Sequence, residues 1–254
     1  MAKHEEQETS ALVVDSDERV NTSQKRERIG EREGKTFYHS EKPDLIIQEF
    51  TQDTPSGDRA SNEISTLRNE ISSYLFEYIE GFRIPTHYVS KLSSTEMVVK
   101  RTEMIPLTVR VYNSGSGSLM KRFGIKNSNV LEFPVIEHYY TVGRRTPQWI
   151  NEYHAYAFNI LTPEEYKQIN RIASKANAVL RGLCDRRQLF VANLQLVFGR
   201  FKGQIILGDE LSPFTCHFWE VTQRGKPDQD RYVPDQQDAA EKLAELYGRL
   251  ILKV

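Results

Sequence analysis

An acidic pair at the end of an apolar run is the strongest chemical feature of this chain. The pair is Asp209-Glu210, and the run before it is Gln204-Ile205-Ile206-Leu207, which has the composition of a β-strand. Nucleotide-using enzymes often hold Mg²⁺ at such a position, because this ion takes oxygen ligands and carboxylates supply them. The pair is therefore a candidate metal-binding position.

A hairpin is expected to present this pair. The apolar run over residues 190–198 is followed by Gly199, and the turn sequence Phe201-Lys202-Gly203 leads into the second run. Two β-rich runs joined by a short glycine-containing turn are typical of an antiparallel hairpin. Residues 190–209 should therefore form two paired strands that end at the acidic pair.

Two other segments have the composition of phosphate contacts. Gly34-Lys35 combines a residue that lets the backbone approach a ligand with a point positive charge. Residues 113–117 are rich in glycine and serine, and Ser118, Lys121 and Arg122 follow them. Backbone amides of such a loop gather around an anion, and nearby hydroxyl and cationic groups strengthen the binding. The composition of this second segment fits a flexible linker before a solvated basic helix equally well.

Composition excludes several classes of protein. The 254 residues are 39% hydrophobic and 27% charged, as in soluble globular proteins, and the net charge of -1 gives no global attraction to nucleic acid or to a membrane. Cys184 and Cys216 are too few for a disulfide framework, which favours a reduced, cytoplasmic setting. No apolar run approaches the roughly 18 residues that span a bilayer, so we expect no membrane partner.

The chain divides into three parts. Residues 1–33 carry nine acidic and six basic side chains without apolar periodicity, which predicts a disordered charged tail. Residues 34–105 should form one lobe and residues 106–254 a second lobe. The boundary is placed at Met104-Ile105-Pro106, because a proline interrupts strand pairing.

Apolar periodicity predicts three helices. The first begins at Ser61 or Asn62 and closes at Gly81. The second covers residues 163–183, with Thr162 as the N-cap of a capping box, and the third begins near Asp235 as its cap. Outside the hairpin, strands are expected over residues 35–38, 45–50, 86–92, 96–101, 107–112 and 135–140.

The motifs occur in the order found in SAICAR synthetases. The segment Gly117-Ser118-Leu119-Met120-Lys121-Arg122-Phe123-Gly124 agrees with the family's Gly-Ser-Leu-x-Lys-Arg-x-Gly at every fixed position. Further agreements are Gly34-Lys35 with Tyr38, Pro43-Asp44-Leu45, Glu49-Phe50, Asp53-Thr54 with Gly57-Asp58, Ile84-Pro85-Thr86-His87, Ile150-Asn151-Glu152 with His154, Asp209-Glu210 with Ser212-Pro213, and Asp230-Arg231. The chain therefore resembles the SAICAR synthetase superfamily from residue 34 to about residue 235.

The resemblance implies an α+β fold in which a small antiparallel β lobe, like the ATP lobe of kinases, covers a larger α+β lobe with a cleft between them. It implies an ATP-dependent ligase that forms an amide between an amino acid and a phosphoribosyl aminoimidazole carboxylate or related azole nucleotide, with Mg²⁺. The expected partners are the nucleotide and ATP, and a homo-oligomer is left open. The resemblance implies that Lys35, Asp209 and Glu210 are catalytic, that Glu210 orients a nearby cation and that Asp209 binds the metal. The implied ATP-binding residues are Gly34, Lys35, Lys100 and Met104. The implied substrate-binding residues are Ser118, Lys121, Arg122, Ser212 and Arg231.

The chain departs from the family pattern at positions where the family has charged, ligand-binding side chains. The family strand Val-Asp-Phe-Lys-Leu-Glu-Phe-Gly has uncharged residues here, and Val197 in place of a carboxylate should weaken Mg²⁺ binding. Other charged family positions are occupied by Tyr112, Asn193, Gln195, Phe214 and His217. Because these losses cluster while the apolar framework is kept, we expect a diverged paralogue whose ligands or activity changed.

Three functions follow as hypotheses. The first is the ligase, with an amine other than aspartate or a modified azole nucleotide as substrate. The second is a catalytically inactive relative that binds a nucleotide or acts as a scaffold. The third is a kinase-like phosphotransferase, which the absence of His-Arg-Asp and Asp-Phe-Gly signatures disfavours.

Overall fold

The computed structural model describes residues 26–51, 59–115, 117–125, 130–141, 146–221, 227–228, 231–234 and 238–251. Their strands are β1 (Arg28–Glu31), β2 (Lys35–His39), β3 (Leu45–Phe50), β4 (Tyr88–Lys91), β5 (Glu96–Lys100), β6 (Glu103–Ser114), β7 (Val130–Tyr140), β8 (Gln148–Ile150), β9 (Leu189–Phe201), β10 (Gln204–Gly208), β11 (Cys216–Val221) and β12 (Pro227–Asp228). Their helices are α1 (Arg59–Glu80), α2 (Gly117–Phe123), α3 (Glu152–Ala157), α4 (Pro163–Asp185) and α5 (Ala239–Ile251).

Strands β1 to β5 form a first antiparallel sheet in the order β1-β2-β3-β5-β4. Its strands alternate between buried and solvated side chains, as β5 does, where Met97 and Val99 are buried between partly exposed neighbours. Helix α1 packs beside this sheet and buries Ile71, Leu75 and Ile79.

The second sheet is also antiparallel, in the order β12-β11-β9-β6-β7-β8, and β10 pairs with β9. Helix α4 covers one face of this sheet with a stripe of apolar side chains at steps of three and four residues. The opposite face is free of α4 and carries the partly exposed polar side chains of β6 and β9. The core lies between α4 and the first of these faces.

The backbone joins the sheets in two ways within the described residues. The chain passes directly from β5 to β6 through Arg101 and Thr102. The second connection is a parallel bridge between Thr86 and Leu207, in which the Leu207 carbonyl accepts from the His87 amide at 2.8 Å. The end of β10 is thereby fixed against the first sheet.

Most predicted elements are confirmed. The hairpin over 190–209 forms as β9 and β10, and the turn at Lys202-Gly203 places both residues at positive φ. Helix α4 begins with the expected capping box, since the Thr162 hydroxyl accepts from the Glu165 amide and the Glu165 carboxylate accepts from the Thr162 amide. Gly199 lies inside β9 and does not end the strand.

The boundaries of other elements differ from the prediction. Helix α1 begins at Arg59, so Ser61 and Asn62 lie within it and do not cap it. Beyond its end the positive φ occurs at Arg83 and not at Gly81. The cap proposed at Asp235 lies outside the described residues. None of the described helices is long and apolar enough to cross a membrane.

The predicted disordered tail over residues 1–33 includes a strand. Residues 28–31 form β1, which pairs with β2 in the register Glu31 opposite Thr36. The sequence did not predict this strand, because Ile29 is its one apolar side chain and the strand therefore shows no apolar alternation. The strand forms because pairing with β2 supplies its backbone hydrogen bonds. Residues 1–25 lie outside the described part of the chain.

The predicted boundary at Met104-Ile105-Pro106 is only partly right. Strand β6 runs through Pro106 from Glu103 to Ser114, and what changes there is its register against β9, between Met104 and Thr108. The sheets do divide between Lys100 and Glu103. Helix α5 nevertheless packs on α1 through Ile64, Leu67, Ala239 and Leu243, so the division into lobes over 34–105 and 106–254 stays a prediction.

Candidate active site

A buried ion pair joins the two sheets. The Lys35 Nζ lies 2.7 Å from Oδ1 of Asp209 and 3.5 Å from Oε2 of Glu210. The Lys35 side chain is 1% exposed and that of Asp209 is 2% exposed. The structure thus brings together the three residues predicted to be catalytic.

Local backbone conformation sets this geometry. Gly34 has φ of +67° directly before β2, and Asp209 has the same φ of +67° directly after β10. The left-handed conformation at Asp209 turns the chain out of the strand. Gln48 fixes the turn, since its Nε2 donates to the Asp209 carbonyl at 3.2 Å.

Arg68 holds Glu210 in place. Its guanidinium donates two hydrogen bonds to the Glu210 carboxylate, at 2.8 and 2.9 Å. It also donates to the carbonyls of Glu33 and Gly34, at 2.9 and 3.2 Å. Such a two-pronged contact orients a carboxylate more firmly than a single bond does. Arg68 therefore links α1, the start of β2 and the acidic pair.

Ser212 belongs to the same network. Its hydroxyl donates to Oε1 of Glu210 at 3.2 Å, and the side chain is fully buried. The structure therefore places Ser212 behind Glu210, where it supports the carboxylate. Substrate binding by Ser212 stays a prediction.

The charges around Asp209 keep it ionised. Burial alone favours the neutral acid, but Lys35 and Arg32 outweigh that effect and hold the pKa of Asp209 below its ordinary value. The Arg32 guanidinium lies 3.3 Å from Oδ1 of Asp209. His87 is the neutral member of the group, because burial lowers its pKa to about 4.

Two cavities adjoin this cluster. The larger has a volume of about 770 Å³, and its wall includes Gly34 and Lys35 together with β6 and β9 residues. The smaller has a volume of about 250 Å³, and its wall includes Lys100 and Asp209. Glu31, Arg32 and Met104 border both cavities.

The residues predicted to bind ATP lie along these walls. Met104 lies where the two cavities meet. Lys100 borders the smaller cavity while its Nζ donates to the Thr86 carbonyl at 2.7 Å. Gly34 and Lys35 border the larger one. Each of these four residues therefore borders at least one of the two cavities.

The second sheet forms the floor of the larger cavity. Directly opposed residues of antiparallel strands point to one face, so the register arranges the floor in cross-strand rows. The rows on this face of the sheet, one after another, are Tyr139, Thr108 and Val197; Glu137, Arg110 and Gln195; and Val135, Tyr112, Asn193 and His217. Of these residues, Thr108, Arg110, Gln195 and Val197 border the larger cavity.

The first residues of the predicted phosphate segment belong to a strand. Asn113 and Ser114 are buried at the end of β6, and Asn113 donates to Asn177 of α4 at 2.7 Å and to the Val191 carbonyl at 2.9 Å. The amide side chains of Asn113 and Asn177 join β6 to α4. Asn113 therefore has hydrogen-bond partners within the protein and does not need an anion to satisfy it. Helix α2 begins two residues after Gly115.

The basic residues of α2 take different positions. Arg122 pairs with the Glu137 carboxylate and stands 3.4 Å from the Tyr139 hydroxyl, and the contact with Glu137 raises the pKa of Arg122. Lys121 is exposed. The side chain of Ser118 lies outside the described part of the structure. Substrate binding by these three residues stays a prediction.

Arg231 lies away from both cavities. Its guanidinium is 3.1 Å from Glu220 of β11 and 2.6 Å from Glu245 of α5, and hydrogen bonding to Glu245 raises its pKa. It does not border either cavity. The two ion pairs of Arg231 therefore link α5 to the second sheet, and its contact with a substrate stays a prediction.

A family model for SAICAR synthetase matches residues 31–249. The chain belongs to the SAICAR synthetase family. The phosphoribosylaminoimidazole-succinocarboxamide synthase of Chloroherpeton thalassium is 36% identical over 227 residues, which are 88% of this chain and 97% of that protein. That of Persephonella marina is 33% identical over 235 residues, 91% of this chain and 97% of that protein. The family comprises ATP-dependent ligases of purine biosynthesis.

Solved SAICAR synthetases share the fold. The synthase from Ehrlichia chaffeensis superposes with a TM-score of 0.79 at 28% identity, covering 88% of this chain and 98% of its own. A SAICAR synthetase in complex with ADP superposes with a TM-score of 0.78 at 29% identity, covering 89% of this chain and 97% of its own. The α+β fold with two antiparallel sheets, predicted from the motifs, is thus confirmed.

The Mg²⁺ expected in a SAICAR synthetase fits Asp209 in part. Asp209 is ionised and offers one carboxylate, whereas both oxygens of the Glu210 carboxylate accept hydrogen bonds from Arg68. Among the described residues, no three His, Cys, Asp or Glu side chains are grouped to hold a metal. Since Mg²⁺ commonly uses one or two carboxylates and completes its shell with phosphate oxygens and water, Asp209 suits such a role only together with a bound phosphate.

Two arginines of the site were missed from the sequence. Arg32 fell within the predicted tail, although the glycines at 30 and 34 already indicated structured turns beside it. Arg68 occurs four residues after Ile64 and three before Ile71, both of which are on the buried stripe of α1. An arginine in the buried stripe of an amphipathic helix requires a partner, and that signal could have identified it.

Proposed function

We propose that this chain is an ATP-dependent ligase that joins an amine to the carboxylate of a phosphoribosyl aminoimidazole or related azole nucleotide. ATP would lie where the two cavities meet, with its base in the smaller cavity between Lys100 and Met104. Its phosphates would point toward Lys35 and Arg32. The single observation that carries the proposal is the buried Lys35–Asp209 pair at the junction of the two cavities, supported by the ADP complex of a family member.

The chemistry has two steps. An oxygen of the substrate carboxylate attacks the γ-phosphorus of ATP, the bond to ADP breaks, and an acyl phosphate forms. The amine nitrogen then attacks the acyl carbon, the carbon–oxygen bond to phosphate breaks, and the nitrogen loses a proton. Positive charge at the phosphates favours the first step, because the transferred group is anionic.

Individual residues have distinct tasks in this scheme. Lys35 supplies a positive charge that Asp209 and Glu210 hold in a fixed position, so the charge need not reorganise during transfer. Arg32 is 46% exposed and can reach ligand oxygens from the rim. Mg²⁺, when bound at Asp209, would supply further positive charge to the phosphates.

The amine is expected to differ from aspartate. Phe214 and His217 occupy positions that are charged in the family pattern, and Phe214 stacks under Arg68, with its ring centre 4.2 Å from the guanidinium carbon. Partial desolvation and the charge of Arg110 lower the pKa of His217, which favours its neutral form at neutral pH. A dicarboxylate would therefore lose charged partners at both positions.

The test is release of ADP from ATP in the presence of Mg²⁺ and the aminoimidazole carboxylate nucleotide, with aspartate and neutral amino acids compared as the amine. Release that requires all components and is lost in Lys35→Met supports the ligase. Lys175→Met, at an exposed position on α4, is the matched control and should keep the wild-type rate.

A nucleotide-binding protein without catalysis is the second candidate. The observation that favours it is Val197, which pairs with Gly208 and puts hydrocarbon beside Asp209 where the family pattern has a carboxylate. Tight ADP binding by calorimetry, with no ADP release for any amine, would establish this function and exclude the ligase.

A further inference from the structure

An arginine borders the larger cavity at the end of its β6 lining that is farther from Met104. Arg110 lies in the middle cross-strand row, with Glu137 on one side and Gln195 on the other. Both Arg110 and Gln195 border the larger cavity. A guanidinium at this point faces any molecule that fills the cavity.

The Arg110 guanidinium has unused binding capacity. Its Nε is buried and has no hydrogen-bond partner within the part of the chain that the structure describes. No ion pair links Arg110 to a described carboxylate, and the opposed Glu137 is held by Arg122 and accepts from the Tyr139 hydroxyl at 2.6 Å. A buried, unsatisfied donor on a cation is costly unless a ligand completes it.

The guanidinium is also held in a fixed orientation. Its central carbon lies 4.6 Å from the centre of the Tyr139 ring, which is a cation–π contact. Stacking on a ring leaves the planar edge of a guanidinium available, and that edge fits a carboxylate through two parallel hydrogen bonds. Arg110 is therefore oriented to bind a planar anion.

The position of Arg110 differs from that of the arginine in the family pattern. That arginine corresponds to Tyr112, two residues further along β6 and on the same face. Two strand residues separate the side chains by roughly 6.5 Å. Because β6 begins at Glu103, Arg110 lies on the side of Tyr112 that is closer to Met104 and to the junction of the cavities.

We propose that Arg110 binds the carboxylate of the acceptor substrate and determines specificity for it, in place of the arginine that Tyr112 replaces. The inference rests on the proposed function for the identity of the substrate. Gln195 and Thr108 beside Arg110 are neutral, and the Glu137 carboxylate is paired with Arg122, so Arg110 is the strongest partner that this part of the floor offers an anion. The carboxylate is thereby held nearer to the expected phosphates than an arginine at position 112 would hold it.

The test is calorimetric titration of the full chain with two nucleotides that differ in charge at one group. These are the 4-carboxylate and the neutral 4-carboxamide of 5-aminoimidazole ribonucleotide. The wild type should bind the carboxylate about tenfold or more tightly than the carboxamide, as expected for a charge-assisted pair. Arg110→Gln should abolish that preference, and Arg110→Lys should retain part of it because the charge stays and the planar edge is lost.

Controls separate this proposal from loss of folding and from the proposed function. Arg171→Gln, at an exposed position on α4, should keep the wild-type preference, and thermal unfolding should show that each variant folds. ADP is titrated separately: if the wild type fails to bind ADP but shows an Arg110-dependent preference, only the proposed function falls. A preference that survives in Arg110→Gln, or a wild type that does not favour the carboxylate or binds neither nucleotide, overturns the assignment.

Discussion

Lys35 and Asp209 form an ion pair that spans the two sheets, with Lys35 at the start of β2 and Asp209 directly after β10. Both side chains are almost completely removed from solvent. Charges in such a place cost free energy of desolvation, which their mutual attraction offsets only while both partners are present. The pair therefore couples the stability of the fold to the geometry of the site.

Removal of either partner should destabilise the protein. Lys35→Met leaves Asp209 with only the half-exposed Arg32, and Asp209→Asn leaves Lys35 with Glu210 at 3.5 Å. We expect each change to lower the free energy of unfolding by about 3 kcal/mol. The double variant should lose less than the sum of the two, by about 2 kcal/mol, because neither charge is then left unpaired. Urea unfolding of the four proteins measures these values, and strictly additive losses would contradict a direct coupling.

Stability should fall in mild acid because of His87. Burial lowers the pKa of this side chain to about 4, against an ordinary value of about 6.5. Between these pH values the unfolded chain binds the proton and the folded chain does not, so the free energy of unfolding decreases as the pH falls. The full contribution is present above pH 6.5, and about 3 kcal/mol is lost on reaching pH 4.

The variant that tests this effect is His87→Leu, which removes the titrating group from the same buried site. Urea unfolding from pH 7.5 to 4 should show a shallower decline for this variant than for the wild type. His39→Leu is the control, because it makes the same substitution at an exposed position. An equal decline in the wild type and His87→Leu would exclude His87 as the cause. Asp209 contributes at lower pH, since its pKa lies below the ordinary value of an aspartate.

The sequence predicted the parts of the fold that depend on local pattern. The β9–β10 hairpin followed from turn residues and alternation, and the start of α4 followed from the capping box at Thr162 and Glu165. The family motifs predicted that Lys35 and the acidic residues belong to one site, although these segments are far apart in the chain, but they did not predict the ion pair itself.

Contacts between residues that are far apart in the chain could not be predicted from local sequence patterns. The role of Arg231 depends on α5 folding back to place Glu245 beside it, and no local pattern encodes that contact. The burial of Asn113 likewise depends on Asn177 of α4, so a glycine- and serine-rich stretch next to it had the composition of a loop. Strand β1 depends on pairing with β2.

A second carboxylate beside Asp209 should strengthen Mg²⁺ binding. Val197 is opposite Gly208 in the β9–β10 register, so a Val197→Glu side chain would project into the larger cavity next to Asp209. We expect the Mg²⁺ concentration that half-saturates ADP binding to fall by about tenfold, because the ion gains an anionic oxygen ligand. Gln195→Glu adds the same charge two residues away on the same face and should have little effect. Equal effects of both variants would indicate a general electrostatic cause.

Gly34 should tolerate no side chain, for two separable reasons. Its φ of +67° disfavours any residue with a Cβ, and a Cβ there would lie 2.8 Å from both the Thr51 carbonyl oxygen and Nη1 of Arg68. Gly203 in the β9–β10 turn has φ of +79° but no atom within 4 Å of such a Cβ. Gly203→Ala therefore reports the backbone strain alone, about 1 kcal/mol.

Gly34→Ala adds the steric conflict to this strain, and relief of the conflict must displace either Thr51 or the guanidinium that holds Glu210. We expect a loss of about 3 kcal/mol in urea unfolding, together with weaker ADP binding that Gly203→Ala does not show. If Gly34→Ala and Gly203→Ala lower the free energy of unfolding equally, the steric conflict at Gly34 has no cost. The close contact of Arg68 with Gly34 would then not be needed to hold Glu210 near Lys35.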